Sequence, residues 1–214
     1  MKNTRWKIAQ FFEINWWKNY LKNKDTAQYL EWKTSYWKDF LATIDFKFIK
    51  NQSVLDVGCG PAGVYVLSKE NNTTTWTAVD PLLKDYNTLA IFNKQIYKQV
   101  MFENVNFENF ESSNKFDVIF CLNALNHFKN IEENLEKLNN LMTEESELIL
   151  SLDTHNYRLL KWILYVLPLD ILHPHQYTEL EYEKMFLNQG FKIVKKKKMK
   201  RELIFSYQVY TLSK

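Results

Sequence analysis

Three of the four glycines of this chain lie within six residues, in Gly58-Cys59-Gly60-Pro61-Ala62-Gly63. The apolar residues Val54, Leu55 and Val57 before them indicate a buried strand, and the apolar run Val64–Leu67 after them can begin a helix. In a strand, glycine turn and helix of this kind, bare backbone N–H groups and a helix N-terminus face a ligand. The pattern therefore predicts a site for a nucleoside-bearing cofactor.

An acidic residue follows the second predicted strand at a spacing that suits ribose binding. The segment Trp76–Val79 is largely apolar and is followed by Asp80, which lies 22 residues after Gly58. At this spacing a carboxylate can accept hydrogen bonds from two adjacent ribose hydroxyls. Nicotinamide cofactors fit this much equally well. Asp56, two residues before the first glycine, instead favours a cofactor that carries an ammonium group and a sulfonium centre.

These motifs resemble those of the class I S-adenosylmethionine-dependent methyltransferases. The family's first motif is similar to Leu55–Gly63, and its second is similar to Val79-Asp80-Pro81. The likeness continues through Phe116–Phe128 for the fourth strand and its loop, through Glu147–Leu152 for the fifth strand, and through Asn188–Ile193 before the sixth. It covers roughly residues 50 to 214. In the region of the third strand the family often has Gly-Asp-Ala, whereas this chain has Val105-Asn106-Phe107.

The resemblance implies S-adenosyl-L-methionine as the cofactor. It assigns the ribose to Asp80, the amino-acid end of the cofactor to the glycine loop, and the shaping of that loop to Asp56. Asn106 would bond the adenine amino group. The residues expected to bind the cofactor are Asp56, Gly58, Cys59, Gly60, Gly63, Asp80, Pro81, Leu82, Asn106, Phe107, Asn123 and Ala124.

The elements that must position these residues alternate between strands and helices, which predicts a parallel sheet with right-handed crossovers. Lys192–Met199 and Ser206–Leu212 are close enough in sequence to pair as an antiparallel hairpin. With the resemblance, this predicts an α/β fold: a Rossmann-like, seven-stranded, mostly parallel sheet with an antiparallel last strand and helices on both faces. We expect residues 1–50 to form an N-terminal helical cap and residues 51–214 to form the methyltransferase domain as a single compact unit.

Helix start and stop signals support this layout. Asp25 precedes a helix whose aromatic residues recur every three or four positions, and Asn130 precedes an amphipathic segment from about Ile131 to Met142. Thr178 and Glu181 have the spacing of a capping box, and Gly190 supplies a C-terminal signal.

Five of the seven tryptophans fall in the first forty residues. Two interpretations stay open: the two helices form a lid over the cofactor cleft with aromatic walls, or their aromatic side chains are ordinary core. The first interpretation predicts acceptor contacts at Trp16, Trp17 and Tyr20, and Tyr157 after the fifth strand is a further candidate for such a contact. The apolar stretch Leu159–Leu172 is a second candidate wall.

Methyl transfer needs mainly the alignment of the nucleophile, the methyl carbon and the sulfur. A hydroxyl acceptor would also use a base. His127 follows the fourth predicted strand and His155 the fifth, at the strand ends where open α/β sheets place ligands, so these two are the catalytic candidates. A merely structural role fits each histidine as well.

Composition excludes some classes and leaves others open. A chain of 214 residues with 46% hydrophobic residues can bury one core, and a net charge of +3 gives no strong pull toward nucleic acid. Cys59 and Cys121 form neither a disulfide framework nor a metal site, which favours the reducing cytoplasm. The longest apolar stretch is shorter than the ~20 residues of a membrane span. Trp162 and Tyr165 would suit contact with a membrane surface, but positive charge around them is sparse.

The run Lys195–Lys198 fits an exposed strand edge, or else a patch for an anion or nucleic acid. The sequence thus favours a methyltransferase that acts on a small, partly apolar or aromatic acceptor. A nicotinamide-dependent oxidoreductase is disfavoured by Asp56 and by the absence of a Tyr-x-x-x-Lys pair near the fourth and fifth strands. A non-catalytic protein that binds a nucleoside cofactor stays open, as does the oligomeric state.

Overall fold

The computed structural model describes residues 2–70, 74–156 and 177–214, with side chains from residue 10 onward. The expectations for Tyr157 and for Leu159–Leu172 lie outside the described residues. The chain divides into two compact units, Met1–Phe110 and Glu111–Lys214.

The first unit begins with two helices, α1 (Lys2–Leu21) and α2 (Thr26–Thr43), as the sequence predicts. Asp25 caps α2, because its Oδ1 accepts the backbone N–H of Gln28 at 2.8 Å. One face of α2 is buried through Tyr29, Trp37, Phe40 and Leu41. The outer faces of the two helices leave several aromatic rings exposed, namely Phe11, Phe12, Trp16, Tyr20, Trp32 and Tyr36.

Three parallel strands follow: β1 (Ser53–Val57), β2 (Thr75–Val79) and β3 (Val100–Glu103). β2 lies between the other two, with Asp56 level with Ala78. The segment after the glycine loop is a 3-10 helix, Val64–Glu70, and the short helix α3 (Leu83–Tyr86) follows β2. Further 3-10 turns are Lys94–Ile96 and Phe107–Asn109.

The second unit contains β4 (Phe116–Leu122), α4 (Ile131–Asn140), β5 (Met142–His155), α5 (Glu179–Asn188), β6 (Lys192–Arg201) and β7 (Phe205–Ser213). β4 and β5 are parallel, and β7 lies antiparallel between β5 and β6, so the predicted terminal hairpin is confirmed.

The predicted helix caps of this unit are also present. The Asn130 side chain accepts the N–H of Glu132 at 3.1 Å, Thr178 and Glu181 form the capping box, and Gly190 has a φ of +82° after α5. β5 begins five residues before the predicted strand, because Met142 follows α4 almost at once and Ser146 donates to the carbonyl of Phe116 at 2.6 Å.

The seven strands are ordered β3-β2-β1-β4-β5-β7-β6 in one sheet, which confirms the expected Rossmann-like fold with an antiparallel β7. β6 is an edge strand, and its ten residues include seven basic ones and no acidic one. Its lysines are exposed, as an edge strand requires. Within the described residues, no helix combines the length and the apolar character that crossing a membrane requires.

Candidate functional site

The glycine loop, Gly58–Gly63, is fastened to the end of β2. The backbone N–H groups of Gly58 and Cys59 both donate to the carbonyl oxygen of Val79, at 2.8 and 3.3 Å. Gly58 has a φ of 67° and Gly60 a φ of 58°, in the left-handed region that side chains rarely adopt. A Cβ built on Gly60 would meet no heavy atom within 4 Å. The loop therefore turns bare backbone toward open space, where a ligand can approach it.

Gly63 has a different role from Gly60. A Cβ at Gly63 would lie 2.2 Å from the carbonyl oxygen of Cys59 and 2.7 Å from Oδ2 of Asp56. The buried Asp56 carboxylate in turn accepts the backbone N–H of Tyr65 at 3.1 Å, and that of Val64 as well. Asp56 therefore holds the end of the loop and the first turn of the 3-10 helix from inside the protein. Only glycine fits at position 63, because any side chain there would collide with Cys59 and Asp56.

Asp80 ties the loop to the end of β2 from the other side. Its Oδ2 accepts the backbone N–H of Gly60 at 3.0 Å, and its Oδ1 accepts that of Leu82 at 2.8 Å. Each oxygen of an ionised carboxylate has lone pairs for a second donor. Asp80 can therefore hold the loop and still accept two hydroxyls, which is what a ribose requires.

Burial makes this site electrostatically unusual. Desolvation raises the pKa of Asp56 to about 7, although the backbone N–H groups of Tyr65 and Val64 oppose the rise. Desolvation and the nearby charge of Glu13 raise the pKa of Asp80 to about 7, against the backbone N–H groups that it accepts. Both carboxyl groups therefore change between the neutral and the ionised form near pH 7, and a cation bound close to them would favour the ionised form.

Glu13 and Tyr86 belong to this site, and neither was predicted from the sequence. The hydroxyl of the buried Tyr86 donates to Oε1 of Glu13 at 3.0 Å. Burial raises the pKa of Glu13, while its side-chain hydrogen bonds with Tyr86 and Trp17 lower it. Glu13 is the only acidic residue of α1 and stands among aromatic residues. An isolated acid in an aromatic helix was the available signal.

The remaining predicted cofactor residues of the first unit lie at the strand ends. Cys59 is buried, and burial raises the pKa of its thiol well above the usual range, so it is not a reactive thiolate. Leu82 is buried and Pro81 is half-buried beside Asp80. Asn106 and Phe107 lie just beyond Glu103, the last residue of β3, whose carbonyl accepts the N–H of Asp80 at 3.2 Å.

Of the four aromatic residues predicted to contact the acceptor, the three that the structure describes have different surroundings. Trp16 and Tyr20 stack with ring centroids 4.9 Å apart and are 55% and 38% exposed. Trp17 is half-buried and bonds Glu13. Only Trp17 is thus joined to the acidic site through hydrogen bonds that the structure describes, and all three acceptor contacts remain predictions.

In the second unit, the predicted residues lie at the carboxyl ends of β4 and β5. Asn123 has a φ of 56°, and its backbone N–H lies 2.9 Å from the carbonyl oxygen and 3.0 Å from Oγ of Ser151. Ala124 is buried, and the half-buried His127 ends a 3-10 helix that begins at Leu125.

His155 is buried at the end of β5. Its backbone N–H donates to the carbonyl of Tyr177 at 3.0 Å, and its ring lies 4.5 Å from that of Phe205. Among the residues that the structure describes, no group of three or more acidic, histidine or cysteine side chains is arranged to hold a metal ion. The catalytic roles of His127 and His155 remain predictions.

Comparison with known proteins gives this geometry a context. The model of a family described as methyltransferase domain matches residues 29–196. The tRNA U34 carboxymethyltransferase of Helicobacter pylori strain J99 is 32% identical over 108 residues, or 48% of this chain and 41% of that protein. N-methyltransferase 4 of Papaver somniferum is 29% identical over 102 residues, or 46% of this chain and 29% of that protein. These alignments thus cover less than half of each curated relative.

Solved structures share the fold at low sequence identity. An S-adenosylmethionine-dependent methyltransferase of Clostridium acetobutylicum matches with a TM-score of 0.61 at 14% identity, over 95% of this chain and 98% of that one. A Haemonchus contortus phosphoethanolamine N-methyltransferase 2, in complex with S-adenosylhomocysteine, matches with a TM-score of 0.65 at 12% identity, over 83% of this chain and 52% of that one.

Proposed function

Because the chain belongs to the methyltransferase domain family, we propose that it is an enzyme that binds S-adenosyl-L-methionine and transfers its methyl group to a small, partly apolar or aromatic acceptor. One observation carries the cofactor assignment: Asp80 holds the N–H of Gly60, in a loop whose backbone faces open space. A ribose at Asp80 and the amino-acid end of the cofactor along the loop would use both features.

The charges of the site support a cationic cofactor. Asp56, Asp80 and Glu13 are acidic groups whose pKa values are raised by burial. S-adenosyl-L-methionine supplies a methyl group on a positively charged sulfur and also carries an ammonium group. Its charge would lower the pKa values of these carboxyl groups and would be stabilised by them. A nicotinamide cofactor carries no ammonium group and no sulfonium centre that these carboxyl groups would stabilise.

Within the reaction, this chain's residues act mainly by positioning. Asp80 and the glycine loop would fix the cofactor, which leaves the acceptor to be aligned by other walls of the cleft. We propose Trp16, Trp17 and Tyr20 of α1 for this, as part of an N-terminal cap formed by residues 1–50. For a hydroxyl acceptor, His127 or His155 would take up the proton. Cys59 and Cys121 are buried and form no disulfide bond in the described part of the chain, which suits the reducing cytoplasm.

Calorimetric titration separates the cofactor candidates. We expect S-adenosylmethionine and S-adenosylhomocysteine to bind and NAD to give no heat beyond dilution. Asp80→Ala should weaken S-adenosylmethionine binding by about 2–3 kcal/mol, as removal of charge-assisted hydrogen bonds does. Glu31→Ala, which removes an acid from an exposed position of α2, is the matched control. Binding of NAD in place of S-adenosylmethionine would refute the proposal.

The acceptor class needs a separate experiment. The relatives named above include one that acts on tRNA, so labelled S-adenosylmethionine should be offered with a small-molecule extract and with bulk tRNA. Label in low-molecular-weight products supports the proposal, and label only in tRNA overturns it. His127→Ala and His155→Ala then test the base: loss of the acidic limb of the pH–rate profile, where activity rises as the base is deprotonated, in one variant would identify it.

A further inference from the structure

A cavity of about 340 Å³ lies in the second unit, away from the glycine loop in sequence. It is bounded by the carboxyl ends of β5 and β6 and by the beginning of α5, and its walls include His155, Thr178, Glu179, Lys198 and Arg201. The volume lies at the lower end of the range of small-molecule sites. The carboxyl ends of strands in an open α/β sheet are also where ligands bind.

A β-bulge brings two basic residues of β6 onto the same wall of the cavity. Lys198 pairs with Gln208 and Arg201 with Ser206, and the register shifts between Lys198 and Lys200. Without this shift, residues three apart would point to opposite faces of the strand. The bulge therefore serves to aim Lys198 and Arg201 together at the cavity.

The acidic side chain in the wall neutralises these two cations only in part. Glu179 Oε1 accepts from Lys196 at 2.6 Å, and Oε2 accepts from the buried Gln208 at 3.0 Å. Lys198 lies 4.0 Å from Oε2, at the limit of an ion pair. Lys196 also bonds Glu183, but Arg201 has no ion pair in the described part of the chain. The cavity thus has two cations at its wall and one carboxylate that is already bonded elsewhere.

The beginning of α5 adds backbone N–H donors, which carry partial positive charge, to the wall of the cavity. Thr178 is the N-cap, so the backbone N–H groups of Glu179 and Leu180 have no acceptor within the helix. They contribute partial positive charge at this wall of the cavity.

We infer that this cavity binds the oxyanion group, phosphate or carboxylate, of a small molecule. The guanidinium of Arg201 offers two parallel donors to such a group, and Lys198 adds a point charge. The inference does not depend on methyl transfer, and it assigns a function to part of the basic run of β6.

Backbone NMR titration tests the site with two probes, inorganic phosphate and malonate, at constant ionic strength set with sodium chloride. We expect saturable shifts of the Leu180 and Lys198 amides with at least one probe, and the stronger probe identifies phosphate or carboxylate as the preferred group. Shifts that sodium chloride alone reproduces would overturn the inference.

Substitutions in the wall of the cavity give the sharper test, because loss of a basic residue should weaken anion binding and loss of the acidic residue should strengthen it. Arg201→Gln and Lys198→Gln should each raise the dissociation constant about tenfold. Lys197, which pairs with Val209, lies on the opposite face of β6. Lys197→Gln therefore removes the same charge away from the cavity and should change the dissociation constant less than about twofold. Glu179→Gln should tighten binding. Equal losses of affinity in all three basic variants would mean that the anion is attracted by the overall positive charge of β6, and would refute the site.

Discussion

The indole Nε1 of Trp37 donates a hydrogen bond to the carbonyl oxygen of Ala62 at 3.0 Å. Ala62 belongs to the glycine loop, so α2 is tied directly to the loop, and its buried face also packs Tyr29 and Phe40 into the first unit. α1 is held differently: among its described side chains Ile14 is buried, and Glu13 bonds Tyr86. The two N-terminal helices therefore have unequal support.

This difference predicts that α1 moves and α2 does not. Without ligand, amide hydrogens of α1 from Phe11 to Tyr20 should exchange much faster than those of α2, because few buried contacts oppose local opening. S-adenosylhomocysteine should protect α1 selectively. Hydrogen exchange measured by mass spectrometry resolves the two helices. If α1 is as protected as β1 in both states, it is part of the fixed core and not a lid.

Substitutions at two glycines should separate binding from folding. Gly60→Ala places a methyl group in open space, so the folded state should lose only about 1–2 kcal/mol for the left-handed φ, while cofactor affinity falls strongly. Gly63→Ala drives its methyl group into Cys59 and Asp56 and should unfold or severely destabilise the protein. Circular dichroism and calorimetry distinguish these outcomes. A Gly60→Ala variant that binds normally would show that the loop does not approach the ligand.

Cofactor binding should depend on pH. The pKa values of Asp56 and Asp80 are about 7 without ligand, and a bound cation lowers them. Binding of S-adenosylmethionine must then release protons, so its affinity should rise with pH below about 7 and level off above about 8. Calorimetry in buffers of different ionisation enthalpy counts the protons. Zero proton release at pH 6.5 would contradict a cationic group at these carboxylates.

The stability of the unliganded protein should show the opposite trend. Because the pKa values of Asp56 and Asp80 are higher in the folded state than the usual value of about 4 in an unfolded chain, folding retains protons that unfolding releases. Their stabilising contribution is complete below pH 4 and is lost as pH rises through about 7. The free energy of unfolding should fall over this window by about 1.4 kcal/mol per pH unit for each proton retained. Urea unfolding of the wild type and of Asp56→Asn, which should reduce the slope, checks this.

Glu13 should set the pH at which the cofactor site responds. Its charge raises the pKa of Asp80, so Glu13→Gln should move the pH midpoint of S-adenosylmethionine affinity downward. Glu31→Gln removes the same charge from an exposed position of α2 and should leave the midpoint unchanged. Titrations at several pH values compare the variants. Equal midpoints in the wild type and in Glu13→Gln would remove Glu13 from the site.

Sequence patterns were sufficient for the order of the elements along the chain, whereas the cofactor contacts of the predicted site residues stay predictions. Apolar strands, helix caps and the glycine cluster are local signals that place the elements along the chain, and the seven-stranded sheet with an antiparallel last strand was predicted with the help of the family resemblance. The sequence predicted that Asp80 and the glycine loop lie at the same site, but it did not predict the hydrogen bond between Asp80 and Gly60. The hydrogen bond to Gly60 depends on the parallel register of β1 and β2, which no local pattern reveals.

What the sequence did not reveal depends on tertiary packing. Glu13 and Tyr86 are 73 positions apart and meet because α1 and α3 pack in one unit. The helix after Gly63 is of the 3-10 type, with Asp56 bonded to its first N–H groups; such a bond to a strand residue is invisible to periodicity. The bulge that aligns Lys198 with Arg201 likewise needs the pairing partner to be known.

The lysine-rich edge strand β6 has a consequence for the behaviour of this protein in concentrated solution. An uncovered edge offers unpaired backbone groups to any other strand, and a second copy of the chain would present the same row of positive charges. Repulsion between like charges then opposes edge-to-edge association, and its range shrinks as salt is added. Aggregation through this edge should therefore be slowest in dilute buffer, and raising the ionic strength or acetylating the lysines should remove the protection.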